Sequence, residues 1–220
     1  MFRRDLLPHV RHVQQVERTI QTAFLRNRES RPKILPALVA PVTRDRLLQL
    51  TKFSVVYTQG HQLEEAEILQ KYVAETVIKW LGKEHIKSIN IMRLLSLTYW
   101  QLAQVDKAVE LQKQSLDACH KLFGPDHPET LKIMHSYGSG LWLQGRIIEA
   151  LRVLTIAVDG LKVTIGGDDI ETLKAMSWLG RAISKDFGFT EAVRIQHEAF
   201  AGLKTKLGAS HQRHWRLWTI

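Results

Sequence analysis

The sequence predicts an all-α protein, a solenoid of antiparallel helix pairs, because three series of residues recur every 42 positions. Ala66, Ala108, Ala150 and Ala192 form one series, and Gly82, Gly124, Gly166 and Gly208 a second. His85, His127, Asp169 and His211 form the third, in the same register. A fixed period of this length marks stacked supersecondary units, each too small to bury its apolar face alone.

The residues between these anchors have helical spacing. Before each alanine stand Leu50, Met92, Met134 and Met176, then Phe53, Leu95, Tyr137 and Leu179, then Tyr57, Tyr99, Leu141 and Ile183. Their intervals of three and four make one apolar helix face. Ser54, Ser96, Gly138 and Gly180 follow the middle set by one residue, and a small residue there admits a second helix at close range. After the alanines a second stripe runs through Leu69, Leu111, Val153 and Ile195 to Val77, Cys119, Leu161 and Leu203. The glycines end that helix, since glycine adopts the left-handed C′ conformation without steric cost. Pro128 suits the first turn of the next helix, and Asp168 with Glu171 resembles a capping box.

The periods predict helix pairs at 43–59 with 63–81, 87–103 with 105–122, 128–144 with 147–164, and 170–186 with 189–206. Residues 43–208 are thus expected to hold four tandem repeats. Residues 209–220 keep the register, Trp215 matching Leu131 and Trp218 matching Met134. They form a partial fifth repeat, either a cap or the scar of a truncated reading frame. Residues 1–42 divide into a basic helix over 9–25 and a proline-containing stretch, which reads equally as a linker or as a cap on the first repeat.

The 220 residues carry 31 Lys and Arg against 22 Asp and Glu, a net charge of +9. Residues 1–42 hold eight basic residues against three acidic ones, over half of that excess. Such a balance favours acidic partners. A single cysteine excludes an internal disulfide and suits a reducing, cytoplasmic setting. No apolar run reaches the ~20 residues of a membrane span, so no membrane partner is expected. Arg3, Arg4, Arg11 and Arg18 recur as in a mitochondrial presequence, but Asp5, Glu17 and Glu29 argue against one.

No catalytic or metal site is recognisable. His9 with His12 and His211 with His214 have helical spacing, yet no further ligands complete a set. Cys119 and His120 point about 100° apart on a helix and cannot form a nucleophile–base pair. Cys119 also occupies a core position of the repeat. Neither a cofactor nor a G-x-x-x-x-G-K-[ST] phosphate loop is indicated.

The large residue, small residue and tyrosine at helical spacing, followed by alanine after the turn, resemble the tetratricopeptide signature. "GPDHPETL" at 124–131 and "QGRIIEA" at 144–150, with the 42-residue period, look like the kinesin-light-chain subtype. "DLLPHV" at 5–10 is similar to the junction after the nucleotide-binding domain of fungal NB-ARC receptor-like proteins. The resemblance implies a right-handed superhelix acting as a protein-interaction scaffold and not as an enzyme. It also implies that the inner face of the first helices carries the ligand. On this chain that face comprises Asn90, Arg93, Trp100, Gln101, Lys132, His135, Trp142, Lys174, Arg181 and Lys185. The first repeat adds Leu48, Thr51, Val55, Thr58 and Gln59.

The ten residues include no acid, which favours an acidic peptide as ligand. Trp100 and Trp142, one period apart, read either as anchors for apolar side chains or as packing against a neighbouring helix. Three alternatives stand beside the scaffold reading: a sensor fragment of an NB-ARC-type receptor, a recruiting subunit of an enzyme complex, and a nucleic-acid-binding protein. The last lacks a recognised motif and has too few aromatics for a stacking track. The oligomeric state is open.

Overall fold

The computed structural model describes residues 44–60, 62–186 and 189–207. The expected helix over 9–25, the stretch 26–42, Gly208 and the half-repeat 209–220 lie outside them, as do both histidine pairs. Eight helices run through the described residues, with no strand among them: α1 Arg44–Gln59, α2 Leu63–Leu81, α3 Ile86–Gln101, α4 Val105–Phe123, α5 Pro128–Leu143, α6 Ile147–Thr164, α7 Ile170–Asp186 and α8 Phe189–Leu207. The boundaries agree with the sequence periods to within two residues. The architecture is all-α, of the α-solenoid class.

The helices fall into two compact units divided between Gln104 and Val105. In the first, α2 packs on both α1 and α3. In the second, α4 through α8 each pack on the next in chain order, and α5 also touches α7 directly.

Small residues set the distance between paired helices. Ala66, Ala108, Ala150 and Ala192 are all at most 1% exposed. A Cβ added to Gly138 on α5 would stand 2.8 Å from Leu154 Cγ on α6. The reverse contact lies on the same pair, where a Cβ on Gly160 of α6 would meet Leu131 Cδ2 of α5 at 2.7 Å. The fourth pair repeats the arrangement: Gly180 faces Gln196 Cγ at 2.6 Å, and Gly202 faces Leu173 at 2.8 Å. Leu131, Leu154 and Leu173 are buried, so each leucine fills a hole that glycine leaves in the opposite helix. The Gly160 and Gly202 members of this device are also 42 residues apart, a series the sequence reading passed over.

The turn residues have defined roles. Gly82, Gly124 and Gly166 take φ of 83°, 89° and 99°, the left-handed region where a Cβ is strained. The third 42-residue series supplies N-caps. His85 Nδ1 accepts from the Lys87 amide at 3.1 Å and His127 Nδ1 from Glu129 at 3.2 Å. In α7 the same task falls to Asp169, whose Oδ1 accepts from the Glu171 amide at 2.8 Å. The expected box of Asp168 with Glu171 is therefore corrected: Asp169 is the cap, and Asp168 Oδ2 accepts from Lys206 Nζ on α8 at 2.8 Å. Pro128 occupies the first turn of α5, where its missing N–H is not needed.

Two stability outcomes are expected. Gly160→Val, forced against Leu131, lowers stability by about 1–3 kcal/mol, whereas Thr164→Val one turn later, exposed, stays within about 0.5 kcal/mol. His127→Ala loses about 1 kcal/mol of cap, while His127→Asp retains it because aspartate caps α7. Urea denaturation of the four variants measures both; equal loss from the two valine substitutions would contradict the tight crossing.

Candidate functional site

The direct contact of α5 with α7 joins two first-helix faces. On α5 the face runs through Glu129, Lys132, His135 and Trp142, and on α7 through Glu171, Lys174, Trp178 and Arg181. The two helices run in the same direction. His135 feels the charges of Glu171 and Lys174 early in α7, while Trp142 near the end of α5 meets Trp178 and Arg181 further on.

The aromatic end is a layered cluster. The Trp142 and Trp178 rings meet edge-on, with centroids 5.6 Å apart and planes at 63°. The Arg181 guanidinium carbon lies 5.3 Å from the Trp142 centroid and 4.7 Å from that of Trp178. A cation over an indole gains about 0.5–2 kcal/mol from the ring quadrupole, more as water is excluded. All three side chains are half-buried, and burial pulls the Arg181 pKa below its ordinary value. The guanidinium nevertheless stays charged at physiological pH. Trp142 therefore does pack against a neighbouring helix, and it does so while holding an arginine at the surface.

The lysine end is less basic than the ten chosen positions imply. Lys132 Nζ donates to Glu129 Oε1 at 2.8 Å, and Lys174 Nζ to Glu171 Oε1 at the same distance. Both pairs are i,i+3 contacts one period apart, with side chains about a third exposed. Such partly exposed pairs contribute up to ~1 kcal/mol each and exchange partners readily. The two glutamates sit one turn before the lysines and belong to the same face.

His135 is placed inside the protein, at 6% exposure, and not on a surface that a ligand could reach. Neither ring nitrogen has a hydrogen-bond partner. Desolvation pushes its pKa down to about 4; Glu171 opposes that shift and Lys174 adds to it. The cause is α7, which lies against α5 at this level and covers a position that register alone marks as open.

The remaining positions fall on α3 and at the end of α7. On α3, Asn90 and Gln101 are exposed and Arg93 and Trp100 half-buried, with Leu97 exposed on the same face. Lys185 is on α7, its side chain outside the described residues. In α1, Thr51 and Thr58 turn their hydroxyls back onto the carbonyls of Leu47 and Ser54, each at 2.8 Å. The Leu48 side chain is outside the described residues, Val55 is half-buried and Gln59 exposed.

Trp178 was missed. Its counterparts one and two periods earlier are Ser136 and Leu94, so the repeat carries no signal for it. The signal was local: Trp178 lies four residues after Lys174 and three before Arg181, on one helical stripe. Cys119 is buried at its core position, and the described residues contain no group of three or more metal-ligating side chains. No described helix is long and apolar enough to cross a membrane.

Residues 101–162 match the family model of the tetratricopeptide repeat. No curated protein matches the chain in sequence. Two crystal structures of a Podosopora anserina protein described as a kinesin light chain with nearly identical TPR-like repeats are similar to this one. Their TM-scores are 0.67 and 0.65 at 22% identity, covering 92% and 91% of this chain and 96% of that one. The crystal structure of BtubC (BKLC) from P. vanneervenii has a TM-score of 0.63 at 15% identity, covering 93% of this chain and 78% of its own. The fold is thus that of kinesin-light-chain-like TPR repeats.

Burial of His135 has a pH consequence. Its folded pKa, near 4, lies below the 6.5 of an accessible imidazole, so the unfolded chain takes up the proton first. The stability that this neutral imidazole permits is complete above pH 6.5 and falls away as pH drops towards 4. At about 1.4 kcal/mol per pKa unit, the loss by pH 5 is roughly 2 kcal/mol. Denaturant midpoints of the protein and of His135→Leu, followed from pH 7 to 5, should diverge, the leucine variant showing the flatter profile. Parallel profiles would place His135 in contact with solvent.

Proposed function

We propose that this chain is a non-catalytic protein-interaction scaffold, and that the α5–α7 face binds a peptide carrying acidic residues beside an apolar or aromatic one. The observation that carries this reading is the half-buried Arg181, whose guanidinium lies over the rings of both Trp142 and Trp178. Contact with two indoles holds the guanidinium in place, so its fork of donors can meet a carboxylate bidentately with little side-chain freedom left to lose. The exposed part of the two indoles offers apolar area next to that charge, the composition of a binding hot spot.

Lys132 and Lys174 fit the same ligand, because their glutamate partners are intrahelical and weakly held. A ligand carboxylate can take over either ammonium while the displaced glutamate returns to water. The exchange favours ligands with several acids over single charges. Tetratricopeptide repeats generally serve as protein-binding surfaces, and the match over residues 101–162 includes α5 and most of α6.

Fluorescence anisotropy with labelled peptides tests the reading: one acidic with leucine or tryptophan, one acidic without, and one basic. The first is expected to bind best. Arg181→Lys retains charge but loses the planar fork of donors, and should weaken binding by about 1 kcal/mol. Trp142→Ala should cost about 2 kcal/mol, given a thermal melt confirming that the variant folds. The double reversals Lys132→Glu/Lys174→Glu and Arg93→Glu/Lys132→Glu separate the lysines of this face from the arginine of α3. Equal binding of the acidic and basic peptides, or binding that ignores Arg181, would end this proposal. Affinity for a phosphate polymer falling steeply with log salt would favour nucleic acid instead.

A further inference from the structure

The outward face of α6 differs in kind from those of the helices at the same place in neighbouring repeats. Ile148, Ile156 and Val163 are 67%, 53% and 87% exposed. The positions one period earlier on α4 are Asp106, Gln114 and Lys121, and those one period later on α8 are Thr190, Glu198 and Thr205. All six are polar, as solvent-facing helix positions ordinarily are. Among the described residues, these three large apolar side chains face water together and form an uncovered stripe.

The order of side chains along that stripe identifies what covers it. At 100° per residue, Ile148, Arg152, Thr155, Ile156, Asp159 and Val163 fall within an arc of about 100°. Arg152, Thr155 and Asp159 are exposed as well. Read in sequence, the face is apolar, basic, apolar at the centre, acidic, apolar. Reversed end to end, it keeps its apolar places and exchanges its charges. A helix face with that property is complementary to an antiparallel copy of itself, the condition for an isologous two-fold contact.

We propose that α6 is a self-association surface on which a second copy of this chain docks, helix against helix and antiparallel, about a two-fold axis at Thr155 and Ile156. In that arrangement Ile148 meets the partner's Val163, Arg152 meets the partner's Asp159, and the central Ile156 residues pack together. Symmetry makes each contact twice. Glu149 accepts hydrogen bonds from Arg146 at 2.8 and 2.6 Å, which hold its carboxyl below the ordinary pKa, and Arg152 adds only a smaller electrostatic contribution to that shift. The contact spans 15 helical rises, ~22 Å, from one helix of each copy. Its area is at the small end for specific interfaces, so the dimer forms in the micromolar range and not at trace concentration. The proposal is independent of the peptide reading, which uses α5 and α7.

Sedimentation velocity of the full chain over the micromolar range is the test. The protein should pass from monomer to dimer as concentration rises. Ile156→Glu should remain monomeric throughout while keeping the helical circular dichroism of the parent. Arg152→Asp and Asp159→Arg should each weaken the dimer severalfold by setting like charges opposite one another twice. The double exchange Arg152→Asp/Asp159→Arg should restore it, a rescue that only an antiparallel self-contact of this register produces. A monomer at every concentration overturns the proposal. So does a dimer insensitive to Ile156→Glu, or a double exchange as weak as the single changes.

Discussion

The close approach of paired helices at their small residues is the contact on which the rest of this structure depends. Leu154 fits against Gly138 and Leu131 against Gly160, so α5 and α6 interlock from both sides. The same exchange holds α7 to α8, where Gly202 receives Leu173 and Gly180 lies only 3.2 Å from the Ala192 carbonyl by its would-be Cβ. Each pair is then a thin, rigid unit, because interiors packed to crystal-like density do not slide. Ala150 and Ala192, almost wholly buried, keep the backbones at that separation.

Thin pairs bring first helices of successive repeats within reach of one another. The contact of α5 with α7 follows, and it creates an environment that neither helix has alone. It buries His135 without a hydrogen-bond partner and depresses its pKa. It also sets the Arg181 guanidinium over an indole from each helix. An unpaired imidazole is tolerable there because the neutral form carries no charge to desolvate, whereas the arginine keeps part of its surface in water.

The face is consequently graded and not uniformly basic. At the starts of α5 and α7, Lys132 and Lys174 are tied to Glu129 and Glu171; towards their ends the cation is held by aromatic rings. Two kinds of cation control sit on one surface: an ion pair that can exchange partners and a cation–π contact that holds the charge in place. The second repeat carries the same tryptophan slot at Trp100, while the fourth carries Ser184 there, so the aromatic anchor is a local feature and not a property of the repeat.

By itself the sequence determined the all-α class, the helix boundaries and the buried register, because helical period and repeat period both follow from local chain geometry. Ala66 through Ala192, the glycines at positive φ and the core place of Cys119 were legible for that reason. The N-caps were legible only as punctuation: 42-residue spacing located His85, His127 and Asp169, but which oxygen or nitrogen accepts at α7 was settled by the fold, in favour of Asp169 over Asp168. Trp178 was invisible to register, since its slot holds Ser136 and Leu94 in the earlier repeats; Glu129 and Glu171 do share a slot, but only the fold shows each of them paired with the lysine one turn on. The burial of His135 was decided solely by the tertiary structure. A repeat says which way a side chain points from its own helix; only the helix that arrives opposite decides whether it meets water or protein.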